Sequence, residues 1–226
     1  MKVYVNAWSN APLRVRIAIA LKGIAVEEVR VDLGLDEQHA EAFRRLNPQQ
    51  MIPVLVDGEH VITQSLAIIE YLEEISPAFP LLPADPWGRA RVRAMAMVLA
   101  CEAQPLLNLR VRQYLDGALG LADHQCADWM RHWMLLGMQE VESMLVANAV
   151  PGAFAHGDRP TLADCCLVPQ VLMAQRFGIG LAGFPRVLTV FSAAMRIPQV
   201  AQAVGSTRST PARQALPAAS AGSAAR

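Results

Sequence analysis

The chain has 226 residues, 53% of them hydrophobic and 18% charged, and its 20 basic residues balance its 20 acidic ones. That supplies apolar material for one large core or two modest ones, and a net charge of zero offers no long-range attraction to nucleic acid or to an anionic membrane. The opening MKVYVNAW lacks the basic start, apolar run and small-residue cleavage site of a signal peptide, and no stretch approaches the ~18 uninterrupted apolar residues of a membrane span, so a soluble, cytoplasmic protein is expected.

Residues 3–8 mix β-branched and aromatic side chains and predict a first strand. It breaks at Ser9-Asn10-Ala11-Pro12, after which Val15, Ile17, Ala18, Ala20 and Leu21 give an apolar helical face that ends at Gly23. Residues 26–32 set Val26, Val29 and Val31 among charges, predicting a second strand that runs parallel to the first through the helical crossover. A helix over about residues 37–46 follows.

After Pro53 the sequence predicts a short strand over 54–56, a tight turn at Asp57-Gly58 and an antiparallel partner over 61–63. Ile68, Ile69, Leu72 and Ile75 then form one face of a third helix that stops at Ser76-Pro77. The order β-α-β-α-β-β-α is that of a thioredoxin-like domain. Pro77, Pro80, Pro83 and Pro86 make the segment 77–86 a stiff connection with no element of its own.

Beyond Trp87 no strand-like alternation persists, and helical spacing runs over about 85–116, 122–147, 161–177 and 185–196. Thr161 stands three residues before Asp164 at the start of an apolar run, the pattern of a capping box. Met130, Met134 and Met138 recur at four-residue intervals and read as one helix face in a core or a dimer contact. The expected division is therefore an α/β domain over 1–80, a linker over 81–85, an all-α domain over 86–204, and a tail over 205–226 too poor in large apolar residues to order itself.

Four cysteines, Cys101, Cys126, Cys165 and Cys166, lack CxxC spacing, which favours neither a disulfide framework nor a zinc site; they are expected as small buried apolar groups. The five histidines show no ligand spacing, so no metal is expected. With no thiol at residues 9–12, disulfide exchange at the first strand end is excluded.

Two segments point to a ligand. A proline before a strand favours a cis Ile52–Pro53 bond, which would turn the Ile52 backbone outward to pair with an extended peptide. Ser65, at the start of the third helix, offers a hydroxyl and a free backbone N–H where the helix dipole attracts an anion.

The run Asn47-Pro48-Gln49-Gln50-Met51-Ile52-Pro53, the pair Gln64-Ser65, Ser9 at the strand end and Arg14-Val15-Arg16-Ile17-Ala18 together resemble the glutathione transferase superfamily, and its zeta-class isomerase branch in particular. The resemblance covers residues 1–204 and implies the two-domain glutathione transferase architecture, usually a homodimer, with glutathione as cofactor. It implies that Ile52 and Pro53 hold the cysteine backbone of glutathione, Gln64 and Ser65 its glutamyl carboxylate, and Gln49 and Gln50 its glycine end, with Asn108 as a further polar contact. Ser9 would donate a hydrogen bond to the sulfur, and Arg110 and Arg176 would bind substrate carboxylates as bidentate cations.

The implied reaction is glutathione-dependent cis–trans isomerisation of an activated double bond, as on maleylpyruvate or maleylacetoacetate: a thiolate adds, the new single bond rotates, and elimination returns glutathione. The alternatives are conjugation or dehalogenation of an electrophile by the same thiolate, and a non-catalytic glutathione-binding module. Departures from the zeta-class pattern are Asn10 and Ala11 in place of Ser and Cys, Trp8 in place of an Arg, and Gln104 in place of a His. Trp8 and Gln104 would lie in the substrate pocket and suit a larger or less charged substrate.

Overall fold

The computed structural model describes residues 1–147 and 150–208. Strand β1 (Lys2–Val5) turns Val3 and Val5 to one face of the sheet and Tyr4 to the other, and both faces are covered. Helices α1 (Asn10–Lys22) and α3 (Ser65–Ile75) cover the first, bringing Val15, Ile17, Ile68, Ile69 and Leu72 into the main core. Helix α2 (Glu41–Leu46) covers the second, where Phe43 joins Val31, Ile52 and Val54.

The sheet order is β2-β1-β3-β4, with β2 (Glu27–Arg30) parallel to β1, and β3 (Val54–Asp57) antiparallel to both β1 and β4 (His60–Thr63). Asp57 pairs with His60, so residues 58–59 form the hairpin loop, and Gly58 adopts the left-handed φ of 58° that this tight turn requires. The helix expected over 37–46 is divided. A 3-10 turn (Glu37–His39) ends at Ala40, which is extended, and α2 starts after it. Glu37 spends its carboxylate on the backbone N–H of Asp32 at 2.7 Å, a local bond that competes with a continuous helix.

Helix α4 (Pro86–Met97) starts at Asp85, whose carboxylate accepts from Gly88 N at 2.7 Å. The long helix expected to 116 is broken into wide π turns (Val98–Ala103), a single turn α5 (Gln104–Leu106), α6 (Leu109–Gln113) and a second π stretch (Tyr114–Ala118). Pro105 explains the first widening: it has no N–H to donate, and its ring crowds the carbonyl four residues back. Leu106 O, left at the break, accepts from Trp129 Nε1 at 2.8 Å.

Helices α7 (Asp123–Ala147), α8 (Leu162–Arg176), α9 (Pro185–Met195) and α10 (Pro198–Arg208) complete the fold. Met130, Met134 and Met138 face the core from α7. Gly137 lets α7 approach the π turns so closely that an added Cβ would lie 2.7 Å from Ala103 Cβ. Cys126, Cys165 and Cys166 are buried as expected, whereas Cys101 is exposed because it lies on the outer side of the π turns. Helix α10 continues ordered structure past residue 205, where the tail was expected to begin; the tail's remainder, 209–226, lies outside the described residues. No single helix among the described residues is long and apolar enough to cross a membrane.

Helix α8 is buried along most of its length and packs on α1, α4 and α9. The Asp164 carboxylate accepts from the Thr161 backbone N–H and hydroxyl, both at 2.8 Å, and from Ala155 N at 3.0 Å. Replacing it with alanine would strand these buried donors. Asp164→Ala is expected to lower stability by about 2 kcal/mol, read as a shift in the urea midpoint at unchanged slope.

The proline-rich connection is clamped from below. Lys22, whose side chain is fully buried, pairs with Glu73 at 2.7 Å and donates to Ser76 O and Phe79 O. Glu73 in turn accepts from Leu81 N and Leu82 N at 3.0 and 3.2 Å. Every group of this buried ion pair has a partner, the condition under which such a pair is tolerated.

Candidate active site

Ser9 lies between two cavities and lines both. It precedes α1 with an extended backbone, its carbonyl accepts from Leu13 N at 3.1 Å, and its hydroxyl is not spent on capping the helix. The hydroxyl therefore stands at a helix N-terminus, where the dipole favours negative charge.

The smaller cavity, about 200 Å³, is bounded by Ser9, Gln49, Gln50, Ile52, Asn108 and Arg110. The Ile52–Pro53 bond is cis. Asn47, 2% exposed, organises the loop before it: its amide donates to Met51 O at 2.7 Å and accepts from Gln49 N at 3.0 Å. Gln50 and Gln64 both hold left-handed φ angles, 57° and 69°, a cost that backbones tend to bear at ligand sites. Their side chains tie the rim together, Gln64 Nε2 to Gln49 Oε1 at 3.0 Å and Gln50 Oε1 to His39 Nδ1 at 2.6 Å. Beyond the rim, Ser65 opens α3, 6% exposed, and accepts from Arg14 Nη1 at 3.2 Å.

The larger cavity, about 380 Å³, is lined by Trp8, Ser9, Asn10, Met173, Phe177 and two arginines. The arginines are Arg112 and Arg176, not Arg110 and Arg176. Residues two apart on a helix point about 200° away from each other, so α6 sends Arg110 to the smaller cavity and Arg112 to the larger one. The alternation Leu109-Arg110-Val111-Arg112 carries that information only once the helix is placed between the two spaces.

Arg176 Cζ sits 4.8 Å from the Trp8 ring centroid and 5.9 Å from that of Phe177, which Arg112 Cζ also approaches at 5.8 Å. These are cation–π distances. Burial pushes the Arg112 guanidinium below its ordinary value, and the charge of Arg176 adds to the shift; Arg176 is lowered by burial alone. Two like charges thus stand around one aromatic ring, and Arg112 Nε lacks a hydrogen-bond partner among the described residues.

Gln104 lies elsewhere. Expected at the pocket, it is buried behind Asn10 and lines neither cavity. Asn10 Nδ2 donates to Gln104 Oε1 at 2.9 Å and to Gln170 Oε1 at 3.0 Å, and Gln170 Nε2 reaches Met134 Sδ at 3.1 Å. Buried amides must find partners, and here they find each other across the two halves of the chain. Among the described residues, no three His, Cys, Asp or Glu side chains gather to hold a metal.

Residues 1–74 match the family described as glutathione S-transferase, N-terminal domain. A maleylpyruvate isomerase of Ralstonia sp is 43% identical over 194 residues, 85% of this chain and 91% of the relative. A zeta-class glutathione S-transferase of Euphorbia esula is 36% identical over 90% of this chain and 89% of its own length. The chain belongs to the zeta class of glutathione S-transferases. The holo structure of a maleylpyruvate isomerase, a bacterial glutathione S-transferase of the zeta class, superposes with a TM-score of 0.90 at 40% identity, over 94% of this chain and all of the other. A maleylacetoacetate isomerase from Methylobacterium extorquens AM1, solved with malonate and glutathione bound, also gives 0.90, at 39% identity over 95% and 100%.

The sequence singled out Ser9, Gln49, Gln50, Ile52, Asn108 and Arg110, which line the smaller cavity, Trp8 and Arg176, which line the larger one with Ser9, and Pro53, Gln64 and Ser65, which line neither. It missed Arg112, Phe177 and Met173 on the wall of the larger one, and Arg14 beneath Ser65.

Proposed function

We propose that the chain is a glutathione-dependent cis–trans isomerase of an acidic, activated olefin, acting as a cytoplasmic homodimer. In this reading residues 1–80 hold glutathione, 81–85 link, and 86–204 hold the olefin. The observation that carries it is Ser9, which lines both the cavity that Ile52 bounds and the two-arginine cavity and whose hydroxyl is not spent on capping α1. Relatives named for maleylpyruvate and maleylacetoacetate isomerisation and a solved relative holding both glutathione and the small diacid malonate support the same pairing of sites. Exposed Trp87 and Met97 on α4 and Leu136 on α7 supply apolar surface for a second copy.

The residues fit glutathione. Ile52 presents a backbone edge beside a cis proline, Gln49, Gln50, Asn108 and Arg110 surround the glycine end, and Ser65 with the N-terminus of α3 meets the glutamyl carboxylate. When bound, glutathione supplies a thiolate that adds to the double bond and later departs. Ser9 donates a hydrogen bond that favours the ionised sulfur. Arg112 and Arg176 hold the substrate's acid group and stabilise negative charge that spreads toward it during the reaction. The indole of Trp8, where the zeta-class pattern has a cation, and the volume of about 380 Å³ favour a larger or less charged substrate than a short diacid.

Incubation with maleylpyruvate or maleylacetoacetate and a trace of glutathione tests the reading. Trans product should accumulate over many turnovers with glutathione undiminished. Consumption of one glutathione per product would replace isomerisation with conjugation, and glutathione binding by calorimetry with no turnover would leave only a non-catalytic glutathione-binding module. In the same assay Ser65→Ala is expected to weaken glutathione binding about tenfold, through one lost charge-assisted hydrogen bond, and to leave kcat at saturating glutathione nearly unchanged.

A further inference from the structure

Helix α1 carries three buried cations, and the fold supplies a carboxylate to only two of them. Arg16 meets Glu28 at 2.7 Å and Lys22 meets Glu73 at 2.7 Å. Arg14, 2% exposed, meets none among the described residues. Its Nη1 donates to Ser65 Oγ at 3.2 Å, and its Nε and Nη2 have no hydrogen-bond partner there. The titratable groups whose charge acts on it through space are the thiols of Cys166 and Cys101. Burial pushes the Cys166 thiol up to about 11, so that group stays neutral near pH 7 and offers no countercharge.

An enclosed cation without an anion is costly, and its single protein contact indicates where an anion would relieve the cost. A guanidinium only donates, so Nη1 occupies a lone pair of Ser65 Oγ and turns the hydroxyl proton away from itself. Ser65 is itself the first residue of α3, an 11-residue helix whose dipole and free N–H groups favour negative charge at this end. A carboxylate arriving there meets an O–H already aimed at it and a full positive charge behind the oxygen. We propose that Arg14 is a positioning residue for glutathione: it orients the Ser65 hydroxyl and supplies, through it, the countercharge of the glutamyl α-carboxylate. This rests on the glutathione reading above and adds to it a residue that touches neither the peptide nor the olefin.

The test compares glutathione with glutathione amidated at the glutamyl α-carboxylate, each titrated by calorimetry into the full chain. The wild-type protein should prefer the carboxylate about tenfold or more. Arg14→Gln should bring that ratio close to one, and Arg14→Lys, which keeps the charge, should retain part of it. An unchanged ratio in Arg14→Gln would reduce Arg14 to a packing residue and overturn the inference while leaving the glutathione reading intact. Should the glutamine variant not fold, nitrogen NMR of the wild-type protein decides: the shielded Arg14 Nε–H signal, assigned by its loss in Arg14→Lys, should shift with glutathione and not with the amide. Equal shifts with both ligands would overturn the inference. Failure of the wild-type protein to bind glutathione at all would take down both proposals together.

Discussion

Ser9→Ala is expected to lower kcat/KM for isomerisation about 100-fold and to change glutathione affinity less than about threefold. A free thiol with a pKa of about 8.5 is only about 3% ionised at pH 7, and lowering it by two units makes roughly three quarters of it reactive. That shift corresponds to about 2.7 kcal/mol, within reach of one hydroxyl and a helix N-terminus. Ser9 provides both, because its hydroxyl is not used to cap α1 and it stands where the two cavities meet. A pH titration of thiolate absorbance in the binary complex measures the effect directly. In the alanine variant the bound thiol should return toward 8.5 and the rate at neutral pH should fall with it. A variant that keeps its rate and its thiol pKa would remove Ser9 from the mechanism.

Arg112→Gln should raise KM for the acidic olefin about 30-fold, whereas Arg110→Gln should leave it within about threefold. Loss of one charge-assisted bond to a carboxylate costs roughly 1.5–3 kcal/mol, or about 10- to 100-fold. The contrast between the two variants arises from α6, which turns Arg112 toward Trp8, Phe177 and Arg176 and turns Arg110 toward Gln49 and Gln50. Arg110→Gln should instead show a modest loss of glutathione affinity. Initial rates over a matrix of the two ligands separate these effects, and a larger olefin KM for Arg110→Gln than for Arg112→Gln would reverse the assignment of the two sides.

The parts of the site that were legible in the sequence are those set by local backbone chemistry. Pro53 before a strand, Gly58 in a two-residue hairpin and Thr161 three residues ahead of Asp164 each impose a geometry on their own neighbours, and each appears in the fold where the sequence puts it. What the sequence did not yield depends on rotation and on distant packing. Arg110 and Arg112 differ only in which side of a five-residue helix faces which space. Gln104 is polar and near a pocket in sequence terms, yet the wide turns before Pro105 carry it inward to residues 94 positions away. Arg14 read as part of a matching motif, and its isolation from any carboxylate emerges only when α1, α3 and α8 are packed together.

The amide bridge from Asn10 to Gln104 and Gln170 couples positions 10 and 104 through shared hydrogen bonds. Serine at 10 alone would leave two buried carbonyls competing for one hydroxyl proton, and histidine at 104 alone would offer the Asn10 amide an imidazole nitrogen that accepts in only one tautomer. The serine and histidine substitutions together should therefore change stability by a different amount from the sum of each alone, a coupling that a double-mutant cycle would register as non-additive.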